Sequence, residues 1–244
     1  MMKEDRMNYK YETENKDYRD FASGRVLLNA KKTTAFPIRM ASEIMQHCIA
    51  SLEKKESLTL YDPCCGGAHL LTAMGFIHGK AIKAIYGSDF DRDVIEVATT
   101  NLSLLTDDGL IKRENQLSSL FNTYGKESHK EALESVGRLR SMSAQMTSPI
   151  ISSFTWDITG GPPPVNEKVD IVITDIPYGN TVGWQTTSSD PVQDLLGHLE
   201  LIMNKEDSII AIVSEKKETI THDRFEKVKT MKHGKRKVTM LKPK

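Results

Sequence analysis

Apolar positions along this chain recur with two periods, and the period switches repeatedly. In "AFPIRMASEIMQHCIASLEKK", residues 35–55, Ile38, Ala41, Ile44, Met45, Cys48, Ile49 and Leu52 recur at helical spacing, with Pro37 in the first turn. "SLTLYD" then predicts a short strand ending at Asp62. "AHLLTAMGFIHG" predicts a helix closed by Gly79, "AIKAIYGSD" a strand ending at Asp89, and "DRDVIEVATTNLSLLT" a further helix. Residues 108–146 interrupt this alternation with two helical stretches and no strand between them, which predicts a helical insertion. "PIISSFTWD" and "VDIVITDIPYG" predict two more strands, reaching Asp157 and Asp175. "PVQDLLGHLELIM" predicts a helix with Pro191 at its first position, and "SIIAIVSE" a fifth strand. A helix near 222–232 and a last strand, "KRKVTML", complete the reading. Residues 1–20 are polar and expected to be loosely ordered. Strands alternating with helices predict a mostly parallel α/β sheet with helices on both faces. One domain over residues 1–244 is expected, with 1–56 as a helical N-terminal extension.

Composition narrows the classes. No apolar run approaches the roughly 20 residues that span a bilayer, and Met1–Tyr18 is too polar for a signal peptide, so no membrane partner is expected. The three cysteines, Cys48, Cys64 and Cys65, make no disulfide framework and point to a reducing cytoplasm. An adjacent pair without a second pair is poor zinc-ligand spacing, so no metal is expected. The formal net charge is zero, but residues 216–244 hold eleven Lys/Arg against three acids. That excess, including Lys232, Lys235 and Arg236, could follow a phosphate backbone or be a solvated tail.

Ligands of parallel sheets sit beyond the strands' carboxyl ends, where strand order reverses. Asp62, Asp89, Asp157 and Asp175 each lie at such an end, which predicts one cleft lined with acceptors. Gly66 and Gly67, in "YDPCCGGAH", remove side chains so that backbone can approach a ligand. Asp89 follows Gly66 by 23 positions, a spacing suited to a carboxylate on ribose hydroxyls. A tight turn with capping acids is the plain alternative. The turn does not spell G-x-G-x-x-G, and Asp62 inside it would repel a pyrophosphate but attract a cationic group, which favours S-adenosylmethionine over a dinucleotide.

"DIPYG", Asp175–Gly179, resembles the Asp/Asn-Pro-Pro-Tyr motif of methyltransferases acting on nucleobase nitrogens, with Ile176 at the second position. A base nitrogen's lone pair is delocalised into the ring. The Asp175 carboxylate and a main-chain carbonyl fixed by Pro177 can draw on its protons, and the Tyr178 ring can stack on an extruded base. Alone, D-x-P-Y is a weak signal. After the fourth strand of a sheet whose first ends in "DPCCGG", it is strong.

Together, "FASGRVLLNAKKTTAFPIRMASEIMQHC", "YDPCCGGAHLLTAMG", "GSDFDRDVIEVATTNLSLLT" and "DIVITDIPYGNTVGWQ" are similar to the avilamycin-resistance ribosomal RNA methyltransferases, over most of residues 21–187. That resemblance implies the Rossmann-like class I methyltransferase fold, S-adenosylmethionine as cofactor, and a guanine of 23S rRNA or the large ribosomal subunit as substrate. It implies that Asp62, Cys65, Gly66 and Gly67 face the methionine, Asp89 the ribose, Phe90 the adenine, and Asp157 its amino group. Asp175, Pro177 and Tyr178 would receive the base. Arg39 could contact RNA or cofactor, or be an ordinary solvated arginine. Trp184 could stack on RNA or pack its loop onto the sheet. The sequence departs from the family where Ala68 stands for a third glycine and His69 for a tyrosine. N1 of guanine is favoured over N2, and a monomer is expected. The alternatives are methylation of DNA adenine or of a protein glutamine, and a non-catalytic RNA-binding module.

Overall fold

The computed structural model describes residues 8–30, 36–146, 149–177 and 183–244. The strands are β1 (Leu58–Asp62), β2 (Ile82–Asp89), β3 (Ile150–Thr155), β4 (Ile171–Asp175), β5 (Ile209–Glu215), β6 (Phe225–His233) and β7 (Arg236–Pro243). They form one sheet in the order β3-β2-β1-β4-β5-β7-β6. The β3 to β5 neighbours are parallel, and β7 runs antiparallel to both β5 and β6. The chain steps outward from β1 to β2 and β3, then returns to β4 on the other side of β1. The crevice between β1 and β4 is therefore the switch point.

Side chains alternate across the sheet and build two cores. On one face Leu60, Ile85, Ile173, Val213 and Val238 are buried together with helices α1 (Ile38–Ser51), α2 (His69–His78) and α3 (Arg92–Ser103). On the other, Tyr61, Ala84, Val172 and Ile212 meet α6 (Pro191–Ile202), through Leu195, Leu196 and Leu199. Between α3 and β3 lies a helical hairpin, α4 (Asp107–Tyr124) and α5 (Glu127–Ser143), that adds Leu110, Leu117, Val136 and Leu139 to the first core. Thr106 caps α4 by accepting from the Gly109 N–H, and Gly125, at φ +61°, ends it. Among the described residues, no helix is long and apolar enough to cross a membrane.

Two expectations are corrected. The stretch near 222–232 is not a helix but the edge strand β6. Phe225, Val228 and Met231 fall three apart and imitate a helical stripe. In fact the register shifts between Lys227 and Lys229, which marks a bulge at Val228. An uninterrupted strand would put Phe225 and Met231 on one face. The bulge sends Phe225 to the α6 side, beside Leu241, and Met231 to the α1 side, opposite Val238. The N-terminal segment is also not loose over residues 8–20. The buried Glu43 carboxylate of α1 accepts the N–H groups of Lys10, Tyr11 and Glu12 at 2.7–2.9 Å. Glu12, itself buried, accepts from Ser42, Gln46 and Tyr18.

Candidate active site

The N–H groups of the β1–α2 turn are held by Asp62 and by the end of β2. Asp62 Oδ1 accepts from the Cys64 N–H at 3.0 Å, the Cys65 N–H reaches the Ser88 carbonyl at 2.8 Å, and the Gly66 N–H donates to Asp89 Oδ2 at 2.9 Å. Gly66 has φ +51°, where a side chain is disfavoured. Gly67 is required for a different reason: an added Cβ would lie 2.8 Å from Ala30 Cβ. The missing side chain admits the N-terminal segment behind the turn. Asn101 locks that approach, donating to the carbonyls of Gly67 and Leu28 and accepting from the Leu28 N–H. Sequence reasoning missed Asn101, because its partners lie 34 and 73 residues away.

Ala68, the next residue in the turn, has φ +53° and is fully buried. The next residue, His69, donates from Nε2 to the Phe21 carbonyl at 2.6 Å. Burial pushes its pKa down, so the ring is neutral at pH 7.

A cavity of about 660 Å³ opens beyond the strand ends, within the usual size for small-molecule sites. Asp62, Asp89, Asp157 and Asp175 all line it, as do Cys65, Gly66, Gly67 and Phe90. Burial lifts the Asp62 carboxyl to about 7, helped by the neighbouring Asp89 and Asp175 carboxylates and opposed by the Cys64 N–H. Burial also raises Asp89, against the stabilising N–H groups of Asp91 and Gly66. The Cys65 thiol is pushed well up by burial and so stays protonated. Asp157 Oδ1 accepts from the Thr159 N–H and hydroxyl at 2.9 and 2.7 Å, which fixes the loop after β3. Phe90 is 52% exposed beside Asp89, an apolar ring held open to solvent.

At the other wall, β4 ends in Asp175. The Ile176 N–H donates to the Val213 carbonyl at 3.1 Å, and the side chain is buried in the core shared with α6. Proline, the commoner residue there, has no N–H for this bond. Pro177 and Trp184 line the cavity, and Trp184 also packs against that core. Tyr178 lies outside the described residues. Trp156, on the cavity wall and anchored by its Nε1–H to the Gly161 carbonyl, was not singled out from the sequence.

The expected RNA contacts separate. Arg236 lines the cavity, with its guanidinium over the Phe36 ring, 5.5 Å from the centroid. Lys232 and Lys235 are exposed on the β6–β7 hairpin. Arg39 is not among the cavity residues. It donates to the carbonyls of Glu12 and Thr13 at 2.7–3.1 Å and lies 4.1 Å over the Tyr9 ring, which ties down the N-terminal segment.

Comparison with known proteins addresses the chain and its fold as a whole. Residues 7–236 match the family model described as rRNA methyltransferase AviRa. A Streptomyces viridochromogenes protein named 23S rRNA (guanine(2535)-N(1))-methyltransferase is 35% identical over 202 residues, covering 78% of this chain and 79% of the relative. A solved structure of rRNA methyltransferase AviRa from the same organism superposes with a TM-score of 0.86 at 32% identity, over 96% of this chain and 95% of that one. TrmN from Thermus thermophilus, at TM-score 0.53 and 12% identity over 88% of this chain and 51% of its own, shares the fold alone. On the sequence match across nearly its whole length, the chain belongs to the AviRa family of rRNA methyltransferases.

Proposed function

We propose that this chain transfers a methyl group from S-adenosylmethionine to N1 of a guanine in 23S rRNA, and so confers resistance to orthosomycins such as avilamycin. One observation carries the reading. Asp175 and Pro177, at the end of β4, line the same cavity as the Asp62–Gly67 turn and Asp89. Transfer between a small donor and a base needs both in one space. The name of the Streptomyces relative supports guanine N1 of 23S rRNA as the acceptor.

The residues present fit the cofactor. Asp62 is a buried carboxylate raised to about 7, and a cationic amino group would relieve it. Phe90 offers an exposed ring for a flat adenine, and Asp89 stands beside it for ribose hydroxyls. Cys65, Gly66 and Gly67 would flank the methionine, and Asp157 the adenine amino group. When bound, the cofactor supplies an electrophilic methyl group. The chain's own work lies on the base: Asp175 accepts the N1 proton, Pro177 fixes the main chain beside it, and Tyr178 is assigned the stacking face. Trp184 supports that loop, and Lys232 and Lys235 contact phosphates outside the cleft.

The test is mapping of rRNA from cells with and without the gene. Methylation at N1 blocks Watson–Crick pairing and stops primer extension, and nucleoside mass analysis identifies the product. An N1-methylguanine present only with the gene is expected. An added methyl on N2, on adenine, or on a protein glutamine would overturn the reading.

A further inference from the structure

We infer that Arg236 binds the O6 edge of the target guanine and favours loss of its N1 proton, rather than joining the lysines on the RNA backbone. The inference rests on guanine N1 being the methyl acceptor. Three observations carry it. The first is register. Asp175 lies opposite Val213, and Val213 opposite Val238, across β4, β5 and β7. Arg236 lies two residues beyond Val238, at the same carboxyl edge of the sheet. With ordinary strand spacing, its backbone is roughly 10 Å across and about 7 Å outward from Asp175. The second is facing. Ile173 and Val238 are buried in the same core, and alternation puts Asp175 and Arg236 on that face too. The third is setting. The cavity lining includes Asp62, Asp89, Asp91, Asp157 and Asp175, and Arg236 is the one guanidinium among the described lining residues. It is half-buried over the Phe36 ring, whereas Lys232 and Lys235 are exposed.

The chemistry follows from placing a planar purine between the two groups. Asp175 faces N1–H. When that bond breaks, the carboxylate gains the proton and the electron pair stays on the ring, spread onto O6. A guanidinium at O6 stabilises that charge, and its fork matches the O6/N7 edge that distinguishes guanine from adenine. A phosphate contact would not require a position inside an acidic cleft.

The test uses the full chain and 23S rRNA from cells lacking the gene. Single-turnover methylation is measured against pH for wild type, Arg236→Met and Arg236→Lys, with RNA affinity against salt and cofactor affinity by calorimetry. The expected result is a loss of roughly 10²-fold in Arg236→Met, with the rise of rate with pH displaced to higher pH. Arg236→Lys keeps the charge, recovers part of the rate and moves the profile back. The salt slope of RNA binding and the cofactor affinity stay at wild-type values. Wild-type rates in Arg236→Met would overturn the inference. So would a flattened salt slope with an unmoved pH profile, which would make Arg236 a phosphate contact. If Arg236→Met melts early, Arg236→Lys decides alone: a rate and profile equal to wild type would overturn the inference. An N1-methylguanine product in the wild type, with such negative results, removes this inference only. A wild-type product other than N1-methylguanine removes both.

Discussion

The carboxyl edge of the sheet has two halves of opposite charge. β1, β2 and β4 end in Asp62, Asp89 and Asp175, with Asp157 just past β3, and all four line one cavity. The hairpin at the far edge carries Lys232 and Lys235 outside that cavity, while its Arg236 reaches in. The difference lies in environment as much as in sign. Burial raises the Asp62 and Asp89 carboxyls, and inside the cavity a carboxylate acts strongly at short range on a single small cation. The lysines are exposed, where salt screens them within about 8–10 Å, so they act weakly and together on a polyanion. A protein that brings a cationic donor to an anionic RNA is served by both, provided the two fields stay apart.

The largest break of this contrast is at the chemistry itself. Asp175→Asn keeps the shape of the β4 terminus but cannot take a proton. Single-turnover methylation should fall on the order of 10²-fold or more, with cofactor affinity nearly intact. Tyr178→Ala should also be severe, from loss of a stacking platform worth about 1–3 kcal/mol, while Tyr178→Phe should be mild. Full activity in both Asp175→Asn and Tyr178→Ala would remove the role given to this motif. Lost activity with a collapsed melting temperature would make the motif structural.

The acidic half also predicts a pH response. Asp62 titrates near 7 in the folded chain and near 3.9 when unfolded. The folded state holds the extra proton between those values, so this group makes the ligand-free protein less stable as pH rises from about 4 to about 7. A cation bound beside Asp62 lowers its pKa again. Binding of S-adenosylmethionine should therefore release a proton near pH 6.5 and weaken as pH drops below about 7. Calorimetry in buffers of differing ionisation enthalpy counts that proton, and a count of zero would detach Asp62 from the donor's amino group. In the same assay Asp89→Ala should lose roughly 10- to 100-fold in affinity, the worth of a charge-assisted bidentate contact of about 1.5–3 kcal/mol.

The basic half should give a smaller, salt-dependent effect. Reversing Lys232 and Lys235 to Glu should flatten the log–log salt slope of RNA binding by about one for each phosphate no longer neutralised, and leave cofactor affinity alone. The competing reading is that these lysines only protect an edge strand from pairing with another chain. An unchanged salt slope, accompanied by self-association of the variant, would favour that reading.

How much of this was legible in the sequence depends on range. The strand-end acids, the glycine turn and the Asp175-Ile176-Pro177 stretch are local patterns, and each emerged where its strand did. The β6 strand was hidden because a bulge at Val228 makes a two-faced strand read like a helix. The order of residues 8–20 was hidden because it depends on Glu43, more than thirty positions away. Arg236 read as one cation in a basic tail. Only the antiparallel return of β7 beside β5 places it in the cavity while its neighbours stay outside.

The smallest effect belongs to Ala68, a non-glycine residue in left-handed backbone. Ala68 holds φ +53° with its methyl fully buried. Left-handed backbone costs a non-glycine residue about 1–2 kcal/mol. Glycine would relieve that strain, but it loses about 0.5–1 kcal/mol more chain entropy on folding. Removing the buried methyl forfeits about 0.8 kcal/mol more. The terms nearly cancel, so alanine can stand at this left-handed position. Ala68→Gly should shift the melting temperature by no more than about 2 °C, since about 1 kcal/mol corresponds to 2–4 °C at this chain length. A rise well beyond that would mean the strain is not offset by packing, and a comparable fall would mean that the methyl holds the turn. Cofactor affinity should not change, because the Ala68 N–H is already given to the Cys65 carbonyl at 2.8 Å, and this bond survives in the glycine variant.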